Sequence, residues 1–424
     1  MSNYLKKTAI TFLILFSLFI FGLFLASLIP SSLLKTNITQ SLVTLKNEGT
    51  YPSIGPVWRS IVLDNYTDPL ILNTAYSVDS TDSLKSSLLN YRYMESSNQF
   101  NQIINLEKTV LDRAPFKVAY ERYWHGYLVY LRPLLSLFSY NQIRLIISFF
   151  LYSSFIGLSI MIWKKTGLLK ALIFIVSLLA VDFFHIGKSI QFSNVFLVGI
   201  FSSICLLTIY KKRFDTFNIF FIAGALTSFF DLLTTPLISL GILLVTEAFL
   251  EDSHWIRVIK NSFFWSVGYL SLWASKWLIV TFFYAPGSIF TSFDQVINRT
   301  IVKPDPNFSY LRTLQLNVFQ MIGYHKSNKI FFLLIFLIAI FFVIKFFKID
   351  SRVIKKIIPW ILIGVIPYLW YMIAANHSYL HCWYTYRNQF MSIAAGFMIV
   401  YELTNVRFKK PASNRNDKRL NKIN

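Results

Sequence analysis

The chain predicts an all-α membrane protein of about ten transmembrane helices with a long extracellular first loop that contains interfacial helices. Three observations carry this. Apolar stretches recur along all 424 residues. A mostly polar segment, 31–142, separates the first stretch from the second. Lys and Arg gather in alternate connections.

The first stretch, 9–29, is about 21 residues without a charge, enough to cross a hydrocarbon core as a helix. Lys6 and Lys7 precede it, and no small-x-small cleavage site follows cleanly around 28–32. It reads as a retained anchor rather than a cleaved signal peptide. The later stretches are 143–163, 168–184, 195–210, 217–233, 236–250, 263–284, 330–343, 357–375 and 390–403.

Orientation follows from the bias of Lys and Arg toward cytoplasmic loops. With the N-terminus inside, the inner connections hold Lys164 and Lys165, then Lys211 to Arg213, Arg257 with Lys260, and Lys345 to Lys356. The basic tail, 404–424, is then cytoplasmic, so both termini are inside. The outer side receives 31–142, 185–194, the short turn at Thr234 and Thr235, a second large loop at 285–329, and 376–389. Sequons at Asn37, Asn65, Asn298, Asn307 and Asn376 all fall on that side. The whole chain, 1–424, forms a single integral membrane domain.

Lys plus Arg number 41 against 20 Asp plus Glu, an excess that in a soluble protein would suggest nucleic acid. Here much of it lies at membrane edges, so the expected partners are membrane lipids and no nucleic acid. Trp163, Tyr210 and Tyr284 suit the headgroup zone. Cys205 lies in a span and Cys382 in an outer turn, which supports neither a disulfide framework nor a Cys-ligated metal. No Walker A motif, dinucleotide fingerprint, His-Glu-x-x-His or nucleophile elbow is present, which disfavours ATP-driven transport and common soluble chemistries.

Ionisable residues inside or beside spans are costly and point to function. Asp182 and His185 end the third span, Asp231 ends the fifth, and Lys276 sits in the outer third of the seventh. Lys276 either snorkels outward or points inward, to pair with Asp231 or to hold a phosphate. The 376–387 turn packs His377, His381 and Arg387 among aromatic rings. Arg387 suits a phosphate clamp. His377 and His381 share a helical face as metal ligands would, but no third ligand is evident and the metal content is left unknown.

In the first loop, Asp64 and Asp68 stand four apart, on one side if the segment is helical, although Pro69 argues for a break. Paired carboxylates serve as a general base or bind Mg2+ or Mn2+, an ion the sequence does not demand. The 120–133 segment reads as an aromatic helix lying in the interface, with Arg122, His125 and Arg132 approaching one face. That suits a lipid phosphate and equally a plain anchor. The 285–329 loop carries Asp294, Arg299, Lys303, Asp305, Arg312, His325 and Lys326. Its Lys303-Pro-Asp-Pro306 stretch resists regular structure, as a cover over a site would.

This layout resembles the GT-C superfamily of membrane glycosyltransferases. More narrowly, Tyr123-Trp-His-Gly126 with Arg132-Pro133, Phe229-Phe-Asp231-Leu-Leu-Thr234 with Pro236, and Asn376-His-Ser378 with His381 and Arg387 look like multi-span proteins of Gram-positive surface-polysaccharide clusters. The resemblance implies a plasma-membrane enzyme that takes a sugar from a polyprenyl-phosphate carrier to a cell-surface glycan acceptor. It implies an acid of the first outer loop as base, which maps to Asp68 or Asp64. The family's acid usually follows the first span closely, whereas Asp64 lies farther along. Lys276 and Arg387 would meet the carrier phosphate, with His377, His381, Asp231, Asp182, His125 and Arg132 around it. A polysaccharide polymerase and a flippase or transporter of lipid-linked sugar are the other readings.

Overall fold

The structure, a computed structural model, describes residues 2–55, 61–95, 100–209, 216–250, 254–323, 328–330, 334, 341 and 351–408. The 330–343 stretch, the basic run at Lys211 to Arg213, His325, Lys326, Lys345 and residues 409–424 of the tail lie largely or wholly outside these. The described chain is almost entirely helical.

Helix α1 spans Ser2–Ser27 and α2 Ser32–Glu48. The first loop then folds into short pieces, α3 (Thr67–Tyr76), α4 (Ser83–Leu89), strand β1 (Arg92–Met94), α5 (Gln102–Val110) and strand β2 (Phe116–Val118). The strands pair antiparallel, with Arg92 opposite Val118. Next come α6 (Leu128–Leu137), α7 (Tyr140–Thr166), α8 (Leu168–Leu179), α9 (Ile190–Ile209), α10 (Thr216–Phe230), α11 (Leu237–Leu250) and α12 (Trp255–Phe283). The second loop contributes α13 (Ser288–Thr300) and α14 (Tyr310–Ile322). The chain closes with α15 (Ser351–Ile373), α16 (Ala375–Leu380), α17 (Cys382–Thr385) and α18 (Phe390–Phe408).

Among the described residues, four helical segments are long and apolar enough to cross a membrane: Lys6–Ser27, Tyr140–Thr166, Ile190–Ile209 and Val353–Ile373. Leu168–Leu179, Thr216–Phe230 and Leu237–Leu250 are apolar but shorter. On α1, Leu13 and Leu18 are 60% and 56% exposed while Phe19 and Leu23 are buried, so one side has protein and the other is left for lipid. Phe19 stacks on Phe229 of α10 at 3.9 Å between centroids.

Helices α10 and α12 pack most closely, because two glycines let their backbones meet. A Cβ on Gly224 would sit on the Trp265 carbonyl, and one on Gly268 on the Phe221 carbonyl. Small residues permit this approach where lipid offers no hydrophobic drive for association. Lys165 donates to Leu207 O at 2.6 Å and Lys170 to Phe249 O at 2.8 Å, closing the C-termini of α9 and α11 with positive charge. That is one end of the bundle. The first loop and the turn between α10 and α11 gather at the other.

The 120–133 segment departs from the expected interfacial helix. Tyr123 to Tyr127 is buried and precedes α6, and His125 adopts a left-handed φ of 55° that breaks a helix. Trp124 donates to Leu272 O of α12 at 2.7 Å, and the Gly126 amide to Phe229 O at 2.8 Å. A Cβ on Gly126 would enter the Phe229 ring. The segment is a wedge between α10 and α12.

Candidate active site

A polar cavity of about 380 Å³ opens where the first loop meets the helix ends. Its walls come from parts of the chain far apart in sequence: Asp64, Tyr66 and Leu70 at the start of α3, Arg92 on β1, Tyr120 and Arg122 after β2, Gln191 at the start of α9, Leu232 and Thr234 after α10, Arg299 on α13, and His381, Trp383 and Tyr384.

Asp64 and Asp68 both sit at the start of α3, but they face different tasks. Pro69 fits there because the first helical turn needs no amide donor from it. Asp64 Oδ1 accepts the amides of Thr67 at 2.9 Å and Tyr66 at 3.3 Å, capping α3, and the carboxyl lines the cavity. Burial raises its pKa from the ordinary value to about 6, with the neighbouring Asp68 charge adding to the effect and the Thr67 bonds opposing it. Asp68 is fully buried. It accepts the Ile190 and Gln191 amides at 3.0 Å each, the Ser189 hydroxyl at 3.3 Å and the Tyr140 hydroxyl. Four donors and the N-terminus of α9 thus occupy its lone pairs. Asp64 alone of the pair reaches the cavity.

A second network holds this loop. Arg144 of α7 donates to Glu48 at 2.8 Å and to Asn65 at 2.9 Å, and lies over the Tyr140 ring at 4.1 Å. Asn65 in turn donates to Glu48 and to Gly49 O. The Asn65 sequon is therefore buried and spent in the fold, and the Asn37 and Asn376 amides are likewise engaged, on Leu135 O and Val302 O.

Arg122 and Arg299 each line a second, apolar cavity of about 220 Å³. Trp265, Tyr269, Trp273 and Trp277 of α12 form one wall, Trp370 and Ile373 of α15 another, and Val296 of α13 a third. The strained turn after α10 forms the partition: Leu232 faces the polar side and Leu233, at φ 63°, the apolar side. A left-handed leucine costs roughly 1–2 kcal/mol, and such strain gathers at sites. Asp231 pins the turn by accepting the Thr234 amide at 3.0 Å. Arg299 reaches His377 Nδ1, whose Nε2 faces Thr234 O at 3.4 Å. Burial and the Arg299 charge hold His377 neutral, and they lower His381 to about 4.

No family model, curated protein or solved structure matches this chain.

Lys276 points inward, yet its ammonium donates to Leu88 O at 2.5 Å and Asn90 Oδ1 at 2.9 Å, closing the end of α4. Arg132 donates to Ala26 O at 2.9 Å and to the carbonyls of Ile29 and Ala75, tying the ends of α1 and α3 together. His125 is held between the Tyr127 hydroxyl at 2.6 Å and Tyr120 O at 2.7 Å. Asp182 accepts the Tyr386 hydroxyl at 2.5 Å. Arg387 donates to Trp383 O at 3.2 Å and stacks on Phe192 at 5.0 Å, and its buried Nε has no hydrogen-bond partner among the described residues. None of these five lines the polar cavity or the apolar one.

Three arginines do: Arg122, which the sequence places on one face with His125 and Arg132, Arg299, one of the charges of the second outer loop, and Arg92, to which the sequence gives no role. Arg92 stands on a three-residue strand, Arg122 follows Glu121 in the aromatic 120–133 segment, and Arg299 lies on α13. Only tertiary contact brings the three to one cavity. Arg92 and Arg122 lie 5.1 and 5.2 Å from the centroid of one ring, Tyr120. Among the described residues none of the three arginines is in an ion pair. A donor set of one carboxylate among three guanidinium groups does not fit an Mg2+ or Mn2+ site, since hard cations take several oxygen ligands. It fits an anion.

Proposed function

We propose that this protein is a membrane glycosyltransferase, moving a sugar from a polyprenyl-phosphate carrier to a cell-surface glycan or related polymer at the outer face of the plasma membrane. The single observation that carries this reading is the junction at Arg122 and Arg299, where an aromatic, apolar groove meets a cationic cavity holding one carboxylate. A lipid phosphate has that same division. Its chain belongs among Trp265, Trp273 and Trp277, and its phosphate belongs between the two guanidinium groups, which are built for bidentate contact. In this reading the chain has ten spans with both termini cytoplasmic, so the cavity end of the bundle faces outward.

The chemistry follows from the charges. The acceptor hydroxyl oxygen attacks the anomeric carbon, and its proton passes to the Asp64 carboxylate. The bond from the anomeric carbon to the carrier phosphate oxygen breaks, and the electron pair leaves with the phosphate. Arg122 and Arg299 offset the negative charge that develops there. Trp383 and Tyr384 beside His381 give flat apolar faces and polar edges of the kind that sugar rings stack on.

The test is transfer of radiolabelled sugar from synthetic polyprenyl-linked donors to a cell-wall glycan fraction by reconstituted protein. The parent should transfer; Asp64→Asn should lose roughly 10²–10⁴-fold in rate. Addition of one unit per acceptor marks a transferase, whereas a ladder of lengthening products would favour polymerisation. Absence of transfer by folded protein from every donor would sink the reading.

A further inference from the structure

We propose that the carrier is joined to its sugar through a diphosphate, and that Arg92 is the residue that selects the second phosphate. This rests on the glycosyltransferase reading above and narrows its donor.

Among the described residues, the charged side chains lining the polar cavity are Arg92, Arg122, Arg299 and Asp64. With Asp64 ionised, as a base must be, three positive charges against one negative leave two positive charges. A sugar joined through one phosphate to a lipid carries a single negative charge; joined through a diphosphate it carries two. Unpaired like charges around one cavity repel in a medium less polar than water, so this grouping is stable chiefly when an anion of matching charge lies among them.

Placement separates the three arginines into two classes. Arg122 and Arg299 belong to both cavities and so stand where lipid gives way to headgroup. Arg92 belongs to the polar cavity alone. It projects from β1, and it shares the Tyr120 ring with Arg122, at 5.1 and 5.2 Å. Its buried Nε has no hydrogen-bond partner among the described residues. A phosphate attached directly to the lipid meets Arg122 and Arg299, and a second phosphate, one step farther from the groove, meets Arg92. In transfer, the bond from the anomeric carbon to the terminal diphosphate oxygen breaks. The electron pair stays with the diphosphate, and the acceptor proton goes to Asp64.

The apolar groove carries its own reporter, because Trp265, Trp273, Trp277 and Trp370 line it. Full-length protein in nanodiscs is titrated with farnesyl phosphate, farnesyl diphosphate and inorganic pyrophosphate, following tryptophan fluorescence and, independently, displacement of radiolabelled farnesyl diphosphate; each bare farnesyl probe carries about one negative charge more than its sugar-linked form, so the two still differ by one phosphate and one charge. Farnesyl diphosphate is expected to bind about tenfold or more tightly than farnesyl phosphate, the value of one added charge-assisted contact. Arg92→Gln should lower diphosphate affinity more than monophosphate affinity and bring the ratio toward one. Arg92→Lys, which keeps the charge and loses the fork, should retain part of the preference. A thermal melt like the parent's shows that both variants are folded. Equal affinity for the two farnesyl compounds, or a ratio that folded Arg92→Gln leaves intact, overturns the diphosphate proposal while the lipid-phosphate reading stands. Pyrophosphate binding as tightly as farnesyl diphosphate would overturn the lipid-linked donor. Binding of neither farnesyl compound defeats both readings together.

Discussion

The carboxylate of Asp68 accepts the backbone amide of Gln191 at 3.0 Å, so an acid from the first loop seals the N-terminus of α9, 123 residues away. Gln191 also lines the polar cavity, which makes this bond a hinge pin of the site rather than part of its chemistry. Asp68→Ala would leave two amides and the Tyr140 hydroxyl buried without an acceptor. A loss of about 3 kcal/mol is expected, read as a lower melting temperature in nanodiscs. A variant that melts like the parent but transfers no sugar would instead place Asp68 in the chemistry.

Asp64 should behave oppositely. Its folded pKa lies near 6, raised by burial, so the folded protein holds a proton that the unfolded chain has already released above about 4. Stability from this group is therefore present below that window and declines as pH rises through 6. Activity runs the other way, since the base must be ionised. Transfer rate should climb with an apparent pKa near 6 and level above it. Asp64→Asn, which can still cap α3, should lower transfer by the same roughly 10²–10⁴-fold and reduce the change in melting temperature between pH 4 and 7. A pH profile without a rising limb near 6 counts against Asp64 as base.

Lys276 is spent on structure. Lys276→Met removes the donor to Leu88 O and Asn90 Oδ1, where Asn90 holds a left-handed φ of 50°. The expected cost is about 2 kcal/mol, with farnesyl phosphate affinity of the folded protein changed little. Loss of that affinity at an unchanged melting temperature would return the ammonium to the binding site.

Gly224→Ala and Gly268→Ala each drive a methyl group into the facing backbone, and overpacking of this kind costs about 1–3 kcal/mol. Because α12 carries Trp265, Tyr269, Trp273 and Trp277 into the groove, shifting it should also weaken farnesyl phosphate binding. A thermal melt measures the first effect and the fluorescence titration the second, and unaltered affinity would show that the groove does not depend on the α10 and α12 contact.

Some of this was legible from local pattern. The apolar stretches at 143–163 and 195–210 fall on α7 and α9, because hydropathy over about 20 residues is a property of neighbours in the chain. Asp64 and His381 were singled out, and the structure brings both to the cavity. The helix expected over 120–133 was misread because its aromatic spacing looks helical, while the left-handed His125 that breaks it is set by packing against Phe229 and Leu272.

By itself, the sequence determined where apolar helices lie, where basic charge gathers and that ionisable groups cluster near helix ends, since each depends on residues adjacent in the chain. Only the tertiary structure decided which of those groups are spent and which stand free. Asp68, Lys276 and Arg132 close the ends of helices they could not be matched to from spacing. Arg92, Arg122 and Arg299 surround one cavity. The meeting of these three arginines leaves no local signal, because charge acts through space and not along the chain.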